Sequence, residues 1–422
     1  MNEELKGKRL LLLGSSMWRD QIRAIANEYG IHLTFAGNTP APLDNVVDEV
    51  YRVNSIDHEQ IKQFIREHHF DGVYIGGSEL IISHACQYLN ELHLPCYCTK
   101  EQWNALANKS RFKALCKQFG LPCNKSYEID SPDIEYPVVT KPTDSSGSQG
   151  ISICYNADEL RKGYAMAQAA APSGKALIEK FYKNNDSLMA YYTFSGGRIH
   201  SSAVSNRYPV RFDNPDCYVP GLHIYESNHK DDFRRRYEGQ LQQMFSYLGL
   251  REGTLHMEVF CDGDDYCFNE AGYRYAGQVS FFPINYLTGV NQLEMDIIFA
   301  LTGHSSLTGH TSLFPADVPR RKYYSMYVAH LAYGKIARIE GLEAFNQRPE
   351  CVHMCISKSI GEEVNGPRSL NQSLGYIHLV HDTVDELRKL IKELHATVHV
   401  IDTEGREMLL EKIDWEDRKI DI

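Results

Sequence analysis

The chain reads as an α/β and α+β protein: a parallel α/β unit first, then antiparallel strands, then a smaller final unit. Three observations predict this. Strand-like and helix-like segments alternate over residues 1–100, the pattern of βαβ crossovers. Two alternating runs flank a Gly-Asp turn at Gly263, the signature of a hairpin. At 422 residues the chain also exceeds one compact core, so two or three domains are expected.

In order, RLLLLG (Arg9–Gly14) reads as a buried strand, and a helix is expected over about 19–29, stopped by Gly30. HLTFAG gives a second strand, HEQIKQFIREHH a helix, DGVYIGG a third strand and ELIISHACQYLNEL another helix. The first turn, Gly14-Ser15-Ser16-Met17, lacks the GxGxxG spacing. A dinucleotide site, and with it a nicotinamide-dependent oxidoreductase, is therefore poorly supported. From Glu101 the character changes. NKSRFKALCKQFGLPC predicts a helix closed by Gly120 and Pro122. Strands are expected at 137–141, 150–154 and 176–181. Phe233, Tyr237, Leu241, Met244 and Leu248 recur at helical spacing. TLHMEVF and DYCFNEAG make the hairpin, turning at Gly263-Asp264-Asp265. TGHSSLTGHTSLF (Thr302–Phe314) nearly repeats itself and reads as a linker, with His304 and His310 solvated. The last hundred residues carry strands, glycine turns and one helix over 383–394.

Bulk numbers exclude several function classes. Lys+Arg 44 against Asp+Glu 55 leaves −11, which argues against nucleic acid or an anionic membrane as the main partner. Mean hydropathy is −0.40, and no apolar run approaches the roughly 18 residues of a membrane span. The N-terminus lacks the flanks of a signal peptide, so a cytoplasmic location is expected. Eleven scattered cysteines without a CxxC pair read as reduced thiols, with no zinc site.

Two segments carry chemistry. In YPVVTKPTDSSGSQGIS an apolar run ends at Lys141, and a loop of Gly, Ser and Thr follows. Hydroxyls, backbone N–H groups and an ammonium together suit phosphate. In the hairpin, pairing about the turn sets Glu258 opposite Glu270, with His256 one step along. Cross-strand partners lie about 4.5–5.5 Å apart, where like charges repel. A partly buried carboxylate pair needs a counter-cation or a shared proton; magnesium, held by one or two carboxylates plus substrate phosphates, suits it. Together the segments predict a nucleoside triphosphate site. It is neither a P-loop, because Lys141 precedes its loop, nor a protein kinase, because HRD and DFG are missing.

On these residues the chain resembles the ATP-grasp superfamily, specifically its carboxylate–amine ligases, most strongly from Asn108 to Gly277. The resemblance implies a Rossmann-like unit over 1–100, a central ATP-grasp domain over 101–315 with its hinge near 179–182, and a C-terminal α/β domain over 316–422 like that of bacterial L-amino-acid ligases. Lys109 and Lys141 match the phosphate-binding lysines, and Thr143–Gly150, with Ser145, Ser146, Gly147 and Ser148, the loop closing over the phosphates. Glu179 and the backbone of Lys180 and Phe181 would meet the adenine, and Asp186 the ribose. Glu258 and Glu270 match the magnesium carboxylates, with Mn2+ as an alternative ion, and Arg274 the catalytic arginine. The family's metal-binding asparagine is replaced by Gly272. Asn269 is expected not to substitute for it, since neighbouring strand residues face opposite ways.

The activity so implied activates a carboxylate, one of an amino acid in many relatives, as an acyl phosphate that an amine attacks, releasing ADP and phosphate. Glu79 and His256 are the expected substrate contacts; Arg207 and Arg211 are candidates for a substrate carboxylate. A homodimer is expected from the relatives. Two alternatives stay open: a bicarbonate-activating enzyme like carbamoyl-phosphate synthase, and an ATP-binding module without ligase activity.

Overall fold

The structure is a computed structural model. It describes every residue except 1, 14–17, 38–45, 145–149, 183–186, 213–217, 263–264, 278, 367–368, 414, 416–419 and 421–422. The expected turn at Gly14–Met17, the loop residues Ser145, Ser146, Gly147 and Ser148, and Asp186 lie outside the described residues, as does the side chain of Arg211.

The N-terminal strands form a parallel sheet in the order Glu49–Arg52, His32–Gly37, Arg9–Leu13, Gly72–Tyr74. Leu10 and Leu12 join one apolar core with Ile22 and Ile25, while Leu11 and Leu13 join another with Ile61 and Ile82. A parallel sheet covered on both faces explains why LLLL does not alternate with polar residues. The first helix spans Arg19–Tyr29 and ends at Gly30 in the left-handed conformation. Gly72 permits a close approach: a Cβ there would lie 2.1 Å from the Ala300 carbonyl oxygen, so the helix Gln292–Thr302 rests directly on this sheet.

A second sheet is antiparallel, in the order Ser126–Tyr127, Ala176–Lys180, Val138–Pro142, Ser152–Cys154. The helix Lys109–Gln118, capped by the Asn108 side chain, leads into it. Among the described residues the largest sheet has nine strands, one of them, Leu409–Leu410, pairing off its main path. It begins with the hairpin Asp265–Gly272 and Gly253–Asp262, continues through Ser187–Ser195, Arg198–Arg211 and Tyr218–Tyr225, and passes without a break into Tyr323–Leu331, Ser373–His381 and Cys351–Ile356. Tyr218–Tyr225 bonds directly to Tyr323–Leu331, Leu222 facing Tyr327. The last helix runs Val384–Thr397, with Thr383 as its N-cap.

Two local readings need correction. The His310 side chain is not solvated: it is 3% exposed, its Nε2–H donates to the Ser306 carbonyl at 2.6 Å, and it lies over the buried Glu294. The hairpin pairing starts at Asp262–Asp265, one residue tighter than a three-residue turn allows. Among the described residues the cysteines are all free thiols.

Candidate active site

The hairpin brings Glu258 opposite Glu270, and His256 opposite Gly272. It reaches that register by a route the sequence conceals. Pairing is regular from Asp262–Asp265 to Val259–Phe268 and then shifts, so Asn269 is the extra residue of a β-bulge. A bulge breaks the alternation of faces. Asn269 therefore turns to the Glu258 side, donating to Glu258 Oε2 at 2.8 Å and accepting from Lys141 Nζ at 2.8 Å. The expectation that alternation would keep Asn269 out of the site is overturned.

Lys141 and Glu179 meet because their strands pair with Val139 opposite Glu179, placing Lys141 diagonally across the same face. Their separation is 2.8 Å. Glu179 is wholly buried. Its carboxylate also contacts Lys113 Nζ and accepts from Asn124 Nδ2 at 3.1 Å. This arrangement corrects the reading of Glu179 as an adenine contact: its oxygens are turned inward and occupied by cations. The N–H groups of Lys180 and Phe181 are likewise engaged, by the carbonyls of Lys125 and Pro137.

Lys113 lies one helical turn after Lys109 on the same face. Lys109 reaches Glu270 at 3.4 Å. Three lysines thus converge on one region, and burial, reinforced by Lys113 and Lys109, pushes the Lys141 ammonium well below the usual lysine range. Burial by itself would raise the Glu270 pKa, but Lys109, Lys141 and His256 outweigh it and hold the group down to about 2. Glu270 is ionised at any physiological pH.

Arg207 is neither a surface arginine nor turned to solvent. It ion-pairs with Glu258 Oε1 at 2.6 Å, where Ser187 Oγ also donates at 3.2 Å. Each hairpin carboxylate therefore has a counter-cation from the chain itself, Arg207 for Glu258 and Lys109 for Glu270. The pair does not need a metal to be tolerated in the fold, contrary to the expectation from the facing charges. Among the described residues, no three His, Cys, Asp or Glu side chains already converge as a metal cluster. In kind, the donors still suit a hard divalent cation, with two carboxylates on one face and a buried imidazole beside them.

Arg274 closes the other end of the site. Its Nη2 and Nε meet Glu79 Oε1 at 2.5 and 3.3 Å, and its Nη1 donates to the Tyr275 carbonyl at 2.6 Å. Glu79 is the first residue of the helix Glu79–Glu91, so the N-terminal sheet delivers it to the hairpin. His256 lies between these groups, its Nδ1 bonded to the Arg274 carbonyl oxygen at 3.1 Å. Burial and Arg274 push its pKa down to about 4, which keeps it neutral.

The site joins eight of the expected residues directly by ion pairs: Lys109 with Glu270, Lys141 with Glu179, Arg274 with Glu79, and Arg207 with Glu258. Sequence reasoning missed Lys113, Asn124, Ser187 and the true direction of Asn269. Lys113 was detectable from its spacing to Lys109. Asn124 and Ser187 carry no local signal.

Comparison with known proteins agrees with this geometry. Residues 108–188 match the ATP binding domain of the carbamoyl-phosphate synthase L chain, and residues 328–402 match the L-amino acid ligase C-terminal domain 2. The formate-dependent phosphoribosylglycinamide formyltransferase of Synechococcus sp. (strain CC9311) is 27% identical over 186 residues, 41% of this chain and 48% of that protein. The chain thus spans about half the length of that relative. Among solved structures, the L-amino acid ligase from Bacillus licheniformis superposes with a TM-score of 0.75 at 19% identity, covering 94% of this chain and 99% of that one. The biotin carboxylase domain of the Hydrogenobacter thermophilus 2-oxoglutarate carboxylase, a dimer in complex with MgADP and bicarbonate, gives 0.73 at 16% identity, covering 95% and 91%. The fold is that of the ATP-grasp proteins. Within that class the chain is similar to the ADP-forming carboxylate–amine ligases, the L-amino acid ligases among them. No helix among the described residues is long and apolar enough to cross a membrane.

Proposed function

We propose that the chain is an ATP-dependent carboxylate–amine ligase that forms an amide or peptide bond and releases ADP and phosphate. The observation that carries this reading is the gathering of Lys109 on Glu270 and of Lys113 and Lys141 on Glu179, beside the paired hairpin carboxylates, with Arg274 bound to Glu79 at the other end. Among the described residues four cations (these lysines and Arg207) face three carboxylates (Glu179, Glu258 and Glu270), an excess of positive charge. A polyphosphate supplies the missing negative charge. Phosphoryl transfer requires mainly positioning and charge neutralisation, and these residues provide both.

A substrate carboxylate oxygen attacks the γ-phosphorus of ATP, ADP departs, and an acyl phosphate remains. The amine then attacks the acyl carbon and phosphate leaves with the C–O bonding pair. Lys109 and Lys141 offset phosphate charge, while Arg274 faces the oxyanion that forms during amine attack. Glu79 anchors the amine substrate as an ammonium before it loses its proton. When bound on Glu258 and Glu270, Mg2+, or Mn2+ in its place, supplies further neutralisation of phosphate oxygens. The loop 143–150 closes over the phosphates, and Asp186 holds the ribose. The three-part division at residues 100 and 315, a homodimer and a cytoplasmic setting complete the proposal. The dimeric, nucleotide-bound neighbour supports the assembly and the cofactor.

A phosphate-release screen of amino acids, singly and in pairs, with ATP and Mg2+, tests it. Release should depend on the amine, and Lys141→Ala and Glu270→Gln should each lower it at least about 100-fold with circular dichroism unchanged. Release driven by bicarbonate without an amine points to the bicarbonate-activating alternative; near-normal turnover in either variant refutes the site.

A further inference from the structure

Gly272 stands where the resemblance to the ATP-grasp ligases implies a metal-binding asparagine, and the structure gives a reason for the glycine. A Cβ at position 272 would lie 2.5 Å from His256 Cε1 and 2.8 Å from Nε2, closer than any real side chain tolerates. The imidazole of His256 fills the volume in which a side chain at 272 would begin. His256 and Gly272 are cross-strand partners, next to the Glu258–Glu270 pair on the same face. The two positions are thus complementary in bulk: the strand Asp265–Gly272 has no side chain there, and the facing strand fills the space with His256.

That side chain is set up as a ligand. His256 is 8% exposed, and its Nδ1 faces the Arg274 carbonyl, a group that can only accept. Nδ1 therefore carries the proton, and Nε2 presents a lone pair. Among the described residues Nε2 has no hydrogen-bond partner. An Nδ1–H···O=C bond that fixes the tautomer is the arrangement found behind metal-bound histidines. Solvated imidazoles in a substrate pocket have no need of it.

Building on the ligase reading, we infer that His256 Nε2 is a protein ligand of the divalent ion, beside Glu270, in place of the amide oxygen that Gly272 cannot supply. An imidazole donor favours first-row transition ions over Mg2+, and Mn2+ is the one among them that also suits carboxylate and water ligands. The site is thus one step softer than an all-oxygen one.

The test uses the full chain with ADP and Mn2+ as probe, read by electron paramagnetic resonance. Wild type should bind Mn2+ in an ADP-dependent way, with a histidine 14N coupling in the pulsed spectrum that changes to 15N on histidine labelling. H256Q should lose the coupling and weaken Mn2+ binding at least about tenfold. The wild-type spectrum decides the matter even if H256Q does not fold. ADP-dependent Mn2+ binding that E270Q abolishes, but that shows no nitrogen coupling, overturns this inference and leaves the ligase reading intact. A coupling that persists in H256Q also overturns it. Absence of any ADP-dependent Mn2+ binding overturns both.

Discussion

Glu179 is the counter-charge for two buried ammonium groups at once, and that asymmetry makes a sharp prediction. Its carboxylate is fully buried and contacts Lys113 and Lys141, with Asn124 as an additional donor. Glu179→Gln leaves two buried cations without the one anion in contact with both. Removing one partner of a buried pair costs about 3–5 kcal/mol because the remaining charge is uncompensated, so this variant should lose at least that much. Lys113→Met removes a charge too, but it leaves Lys141 and Glu179 as a matched pair with Asn124 in place. What is lost is one contact to Glu179 Oε1, about 1–3 kcal/mol for a buried acceptor left unsatisfied. The glutamate variant should therefore be the weaker by about 2 kcal/mol. Urea unfolding followed by hydrogen exchange over residues 109–118 and 176–180 reads the local loss without assuming one global transition. A Lys113→Met variant as unstable as Glu179→Gln would refute the shared counter-charge.

Other expectations concern the open end of the site and the C-terminal half. Glu79→Gln should raise KM for the amine about tenfold with a smaller effect on kcat, because the ammonium loses its anchor while Arg274 keeps the Tyr275 carbonyl; unchanged KM in steady-state assays would place the amine elsewhere. His381 is buried, bonded to Ser325 and to the Thr383 carbonyl, and burial pushes its pKa down to about 4 despite Thr383, Glu386 and Asp382. Its folded pKa lies below the unfolded value, so the stability it contributes is complete above about pH 6.5 and is lost as pH falls toward 4. Between pH 8 and pH 5 this amounts to about 2 kcal/mol. His381→Asn should flatten the pH dependence of the urea midpoint by that amount, and identical slopes would count against the buried neutral state.

Much of the fold was legible locally. Leu10–Leu13 read as a doubly covered strand because parallel strands need apolar residues on both faces. Gly30, Gly120 and Thr383 marked helix ends because capping is a property of a few adjacent residues. The pairing of Glu258 with Glu270 was legible for the same reason, since a hairpin is short-range. Its details were not: the tighter pairing and the bulge at Asn269 compensate each other, so the right partner emerged from the wrong count. Lys109 and Lys141 were singled out from the sequence, whereas Lys113 passed for an ordinary helix residue. The pairing of Arg207 was not legible because its partner, Glu258, lies 51 residues away.

The sequence by itself determined the alternation of elements, the caps and the hairpin that sets two carboxylates face to face, because these follow from backbone geometry and from side chains within a few positions. Tertiary structure alone decided which charge neutralises which. Glu179 went to two lysines, Glu258 to Arg207, and the space above Gly272 to His256. Those choices depend on strand register, one bulge and contacts between distant segments. A one-residue slip would move every side chain to the opposite face, and such a slip leaves no trace in composition or spacing.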